Sequence, residues 1–167
     1  CQTGTICTGQ TKCYNGSVET TCPSSGSEYF GQDSQYLDKC IPKSYVVNGT
    51  NPEEIVVDNS TGLQWQRTIS TSTYTWANAK TYCNGLSYGG YSDWRLPTRK
   101  ELATLPDYGR SDPAIDPAYF PATPSSQFWS SSFRSPINFN YAMSVDFGKG
   151  FIGYYDNTYT YYVRCIR

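Results

Sequence analysis

Residues Gly90–Leu105 read GYSDWRLPTRKELATL, and this stretch joins an extended segment, a sharp stop and a helix start. In an extended chain side chains alternate, so Trp94 and Leu96 share one face and Asp93 and Arg95 the other. Pro97 ends the strand. Thr98 followed three residues on by Glu101 forms a capping box: the hydroxyl accepts from an early helix N–H, and the carboxylate reaches back to the Thr98 N–H. Leu102 and Leu105 lie one turn apart on the short helix that follows, and Pro106 breaks it.

The 167 residues amount to about one domain, a size at which roughly 68–70% of the unfolded surface is buried on folding. The apolar share is 38%, much of it aromatic (16 Tyr, 7 Phe, 4 Trp), which suits half-buried sheets and contact surfaces. Only 16% of residues are charged and the formal net is −1, so neither a basic footprint for nucleic acid nor an acidic tail is present. There is no His and no CxxC pair, so the seven Cys read as disulfides of an oxidising compartment rather than metal ligands. No run reaches the ~18 apolar residues that span a membrane, and no signal peptide is visible. The expectation is a secreted or cell-surface chain whose leader is removed. Cys1 has three readings: an acylated lipoprotein residue, which would be the one link to a membrane, a bridge within the tail, or an intermolecular bridge.

In chain order, residues 1–42 form a core-poor arm holding five of the Cys. Cys13 and Cys22 flank a Tyr14-Asn15-Gly16 turn and read as a disulfide-closed hairpin, which leaves Cys7 and Cys40 as the next pair. Such an arm must lie on its own domain or on a neighbouring subunit's sheet. Residues 43–53 read as a turn-rich linker. Ile55–Val57 and Leu63–Arg67 read as strands around the turn 58–62, and a helix presents Trp76, Ala79, Cys83 and Leu86 on one face, with Gly85 as its stop. The proline-rich stretch 106–127 has no periodicity and is expected to be functional or bound down. Strands follow at 128–132, 141–147, 151–155 and 159–166. In the last, Tyr159, Tyr161, Val163 and Cys165 face one way, which sets Cys165 beside Cys83.

DNSTGLQW, AKTYCNGL, SDWRLPTRKEL, FWSSS, YAMSVDF and the ending YYVRCIR resemble, in that order, the domain named for the C-terminus of the Legionella collagen-like adhesin, over about residues 54–167. TGQTKCY and FGQDSQY are similar to a segment often found before it. The resemblance implies an α+β, C-type-lectin-like fold on a secreted or surface-bound protein used for adhesion, with polysaccharides, sulfated ones included, as ligands of several members. With 13 Lys and Arg against 14 Asp and Glu, this chain shows no overall basic excess for a polysulfate.

Catalysis finds little support: a Ser-His-Asp triad needs a His, and Ser70–Ser72 and Ser130–Ser132 lack a nucleophile-elbow pattern. Two non-enzymatic classes remain. A glycan-binding module would stack Tyr faces on sugar rings and bond hydroxyls through polar edges, with candidates Tyr108, Arg110, Asp112, Asp116 and Tyr119 in the long loop and Tyr154 and Asp156 on the hairpin. A fibre protomer would add its arm to the next copy's sheet, and this self-association is favoured because the arm has no evident home in a monomer. No cofactor is expected except calcium, for which Asp107, Asp112 and Asp116 are hard oxygen ligands, although Asp-Pro and Asp-Tyr pairs also start turns. Asn15, Asn48 and Asn59 open glycosylation sequons in turn-like stretches.

Overall fold

The computed structural model describes residues 5–26, 32, 35, 40–135 and 137–167, so Cys1 lies outside the described residues. The chain is α+β. Among the described residues it forms three antiparallel sheets: β1 (Cys13–Asn15) with β2 (Val18–Thr20); β3 (Tyr45–Asn48), β4 (Ile55–Asp58) and β5 (Gln64–Gln66); and β6 (Gln127–Ser135), β7 (Asn138–Asp146) and β8 (Ile152–Asp156). Helices α1 (Trp76–Asn84) and α2 (Arg99–Leu102) lie between the second and third sheets in sequence.

The expected final strand is corrected. Residues 159–166 form no ladder with a single partner; they make isolated bridges instead, Tyr161 to Tyr74, Tyr162 to Phe128, and Ile166 to both Trp65 and Arg95. The tail is thus hydrogen-bonded along both edges, with Cys165 O accepting from Gln66 N–H (3.0 Å) and Ile166 N–H donating to Arg95 O (2.9 Å). The opening DWRL segment is likewise one bridge rather than a strand, yet its facing is the alternation read from sequence: Trp94 and Leu96 are buried, Asp93 and Arg95 exposed.

That alternation divides two cores. Tyr161, Val163 and Cys165 pack with Ile55, Ala79, Cys83, Trp94 and Trp129, whereas Tyr162 and Ile166 pack with Val56, Trp65, Leu102, Phe120 and Phe128. Neighbours on β4 (Ile55, Val56) and β6 (Phe128, Trp129) also go to opposite cores, so these strands and the tail form a septum apolar on both sides. A segment buried on both faces has no polar side, which is why Arg164, at 0% exposure, sits inside the protein.

Helix α1 is capped by Thr75 Oγ1, which accepts from Asn78 N–H, and it closes where Gly85 N–H donates to Thr81 O (3.0 Å). The α2 capping box is formed, with Glu101 accepting from Thr98 N–H at 2.7 Å. Arg95 also grips Glu101 through both terminal nitrogens (2.9 and 2.6 Å), and together these bonds hold its carboxyl down to about 2. A carboxyl held below its ordinary value stabilises the fold above that value and stops doing so as the pH falls. Stability is therefore expected to drop between about pH 4.5 and 2 in an acid titration followed by circular dichroism, and Glu101→Gln should flatten that limb while costing about 1 kcal/mol at neutral pH.

Of two further expectations, one changes and one is narrowed to one of its alternatives. The stretch 43–53 contains β3, because Val46 and Val47 are β-branched and pair with Val57 and Val56. The proline-rich stretch is bound down: Ala114, Ile115 and Phe120 are buried, and Ala114 N–H donates to Phe147 O. It forms a lid on the second core.

The arm has a home on its own domain. Ile6 bridges Ile41 in parallel, Cys7 is bonded to Cys40, and Tyr108 N–H donates to Thr8 O (2.9 Å). Gly9 and Gly109 permit the approach, since a Cβ on Gly9 would collide with the Asp107 carboxylate and one on Gly109 would meet Gly9 O at 2.6 Å. Beyond this anchor in sequence lies the β1–β2 hairpin, closed by Cys13–Cys22, with Cys13 buried and Val18 66% exposed.

Candidate functional site

A strip of cations and aromatic rings runs from α1 across the sheet β6–β8. Lys80 Nζ lies 4.8 Å from the centre of the Trp76 ring, Trp76 packs on Phe133 (4.5 Å), Phe133 meets Phe139 edge-on (4.9 Å), and the Arg134 guanidinium sits 3.9 Å over Tyr154. At its centre is a pocket of about 450 Å³ lined by Thr98, Arg99, Lys100, Ser132, Phe133, Arg134 and Met143. Ser132 Oγ fixes its floor by accepting from Arg99 N–H (3.0 Å). No carboxylate lines the pocket, and among the described residues none of Arg99, Lys100 and Arg134 is in an ion pair. Exposed Phe139 (57%) and Tyr154 (45%) extend the surface. Chemically, unpaired cations beside exposed rings are suited to attract anionic groups and to rest against apolar ring faces.

Of the residues singled out from sequence, Tyr154 belongs to this strip. Asp156 does not; it holds its own turn, accepting from Thr158 N–H (3.0 Å) and Oγ1 (2.7 Å). The long-loop candidates separate. Tyr108 donates its hydroxyl to Gly150 O (3.0 Å), and Arg110 is spent on Asp107 (3.0 Å). The main chain of Asp112 pairs with Gly148 at the β7–β8 turn. Asp107, Asp116 and Tyr119 instead line a cleft of about 510 Å³ with Cys7, Gly9, Pro42, Lys43, Ser44, Tyr45 and Leu105. Asp112 does not line this cleft, and among the described residues no group of three or more His, Cys, Asp or Glu is placed to hold a metal ion. Asn15, Asn48 and Asn59 are exposed, and Asn59 Nδ2 donates to Ser44 Oγ (3.2 Å).

Sequence reasoning missed Lys80, Arg99, Lys100 and Arg134 because it counted charge over the whole chain. The Arg99-Lys100 pair beside the capping box was the local signal, but Arg134 joins it only through the contact of α2 with β6. Lys43 and Tyr45 were also missed, as they fell in the presumed linker. Burial pulls the Lys43 ammonium down to about 8 against the opposing pull of Asp107 and Asp58, while its Nζ donates to Leu105 O (3.1 Å) and Pro106 O.

The pairs Cys7–Cys40, Cys13–Cys22 and Cys83–Cys165 are disulfide-bonded, the last with Cα atoms 5.5 Å apart, and no helix of the described residues is long and apolar enough to cross a membrane. Among curated proteins none matches this sequence. A family model does: the Lcl C-terminal domain matches residues 54–167, the segment that contains both cores and the basic strip, and the chain belongs to that family.

Proposed function

We propose that this surface adhesin-related protein is a non-enzymatic extracellular module that binds acidic polysaccharide through the strip Lys80, Arg99, Lys100 and Arg134 with Trp76, Phe133, Phe139 and Tyr154. The observation that carries the reading is the pocket in which three cations, none of them in an ion pair among the described residues, meet the Phe133 ring with no acid among the lining residues. Charge that is near zero over the molecule is concentrated here, so sulfate or carboxylate groups are drawn to one face while ring faces rest on Phe and Tyr. Arg99→Glu combined with Arg134→Glu is expected to weaken binding to dextran sulfate more than tenfold, on the order of 1 kcal/mol or more per reversed charge, with no change for neutral dextran. Calorimetry at two salt concentrations checks this, and equal binding by wild type and variant would refute it.

Self-association is a second reading, and the edge of the third sheet favours it. The bonds Asp146 N–H to Phe151 O and Asn157 N–H to Asn140 O direct the odd-numbered residues of β8 toward β7. The backbone groups of Ile152 and Tyr154 therefore point away from the sheet, beside exposed Phe151 (65%) and Ile152 (46%). An apolar edge with neither Pro nor Lys is open to another strand, and the exposed strand β2 of a second copy's hairpin is the available donor. The docking of residues 5–10 on their own domain removes the argument that the whole arm must seek a neighbour and leaves the hairpin as the assembling part. Tyr154→Pro deletes an outward N–H and spares the bonds to β7. Under this reading, fibres seen by negative stain in the full chain are absent from that variant.

A further inference from the structure

The cleft between arm and domain differs in chemistry from the basic strip. Its walls are Cys7 and Gly9 of the arm, Lys43, Ser44 and Tyr45 before and within β3, and Leu105, Asp107, Asp116 and Tyr119 of the lid. With Asp107 paired to Arg110 (3.0 Å), the lining sets Asp116 against the single Lys43 ammonium and offers no excess of positive charge to a sulfated or carboxylated group. The Tyr45 and Tyr119 rings are 5.2 Å apart and tilted at 52°, so they form a corner rather than a stack and leave ring surface open. Neither phenol hydroxyl makes a hydrogen bond among the described residues, and Asp116 uses only Oδ1, which accepts from Ala118 N–H (3.0 Å). Burial, with Asp58, Asp116 and Asp107 nearby, raises the Tyr45 phenol, so its hydroxyl stays protonated. Lys43 keeps one ammonium hydrogen beyond the two given to Leu105 O and Pro106 O.

We propose that this cleft is a binding subsite for an uncharged pyranose unit, set against the Tyr45–Tyr119 corner, with its hydroxyls donating to Asp116 and accepting from the two phenols and Lys43. The inference rests on the glycan-binding reading and adds a second ligand class to it. Its volume of about 510 Å³ falls within the roughly 300–1,000 Å³ of small-molecule sites. Alternating aromatic surface and paired donors and acceptors match a ring whose faces are apolar and whose rim is hydroxylated. The arm completes the wall, because Cys7 is held there by Cys40 and Gly9 by its close approach to Gly109.

The test uses the full disulfide-bonded chain on an array of neutral and acidic oligosaccharides, followed by calorimetry with the neutral ligand retained best. The expected result is retention of a neutral oligosaccharide whose affinity falls about tenfold or more in Asp116→Asn and in Tyr119→Phe, as loss of a paired hydroxyl contact predicts. Arg99→Glu with Arg134→Glu should leave it within twofold. Tyr119→Phe keeps the ring against Tyr45, and unchanged circular dichroism separates lost contact from lost fold. Undiminished neutral binding in both cleft variants overturns the proposal. So does retention of acidic glycans alone, which leaves the basic-strip reading standing, whereas a blank array sinks both.

Discussion

Replacing Cys83 and Cys165 together by alanine is expected to lower the unfolding free energy by about 4.5 kcal/mol, the chain-entropy value for a bridge that closes 82 residues. Both cysteines are fully buried, where the last turn of α1 meets the tail, so the loss also opens space in the core that holds Trp94 and Trp129. Guanidinium titration of the oxidised protein and the double variant measures it. A midpoint that barely moves would mean that hydrogen bonds on both edges of the tail hold it without the bridge. The same replacement at Cys13 and Cys22, which are only 9 residues apart, should cost about 2.6 kcal/mol at most and leave both cores cooperative.

Arg164→Ala is the second large effect, at roughly 3–5 kcal/mol. The guanidinium lies in the second core, 4.8 Å from the Phe120 ring, and gives its terminal nitrogens to Gln66 O (2.7 Å), Arg67 O (2.9 Å) and Thr123 Oγ1 (2.7 Å). No carboxylate accompanies it there, and its Nε is without a partner among the described residues. Burial pulls the group down to about 9, still above neutral pH, so the core holds a charge. A base held below its ordinary value by burial carries its charge at a cost to the fold, which its hydrogen bonds offset. Arg164→Met fills the volume without the charge and should cost less than Arg164→Ala, the remaining loss being the three stranded acceptors. If Ala and Met variants lose equally, the hydrogen bonds rather than packing carry the stabilisation.

Much of the frame was legible because its causes are local. A threonine three residues before a glutamate at the start of a helical segment caps it through neighbouring residues alone, as Thr98 and Glu101 do. Period-2 alternation assigned Trp94, Leu96, Val163 and Cys165 to buried faces before any partner was known. It could not say that Tyr162, Arg164 and Ile166 were equally buried, since alternation orders the two faces of a segment and is silent on what covers each. Hence the tail was expected to be an ordinary last strand, and it is instead a wall between two cores.

The sequence by itself determined the caps, the turns, the side-chain facing and the family motif, all of which depend on residues within a few positions of one another. Only the tertiary structure decided that Arg99 and Lys100 meet Arg134, that Lys43 and Tyr45 meet Asp116 and Tyr119, and that the arm rests on Asp107–Gly109. The physical reason is that charge and hydrogen-bonding capacity act over a few ångströms of space. A chain whose formal charge is −1 can therefore concentrate cations on one face and carboxylates in one cleft, and the total shows neither.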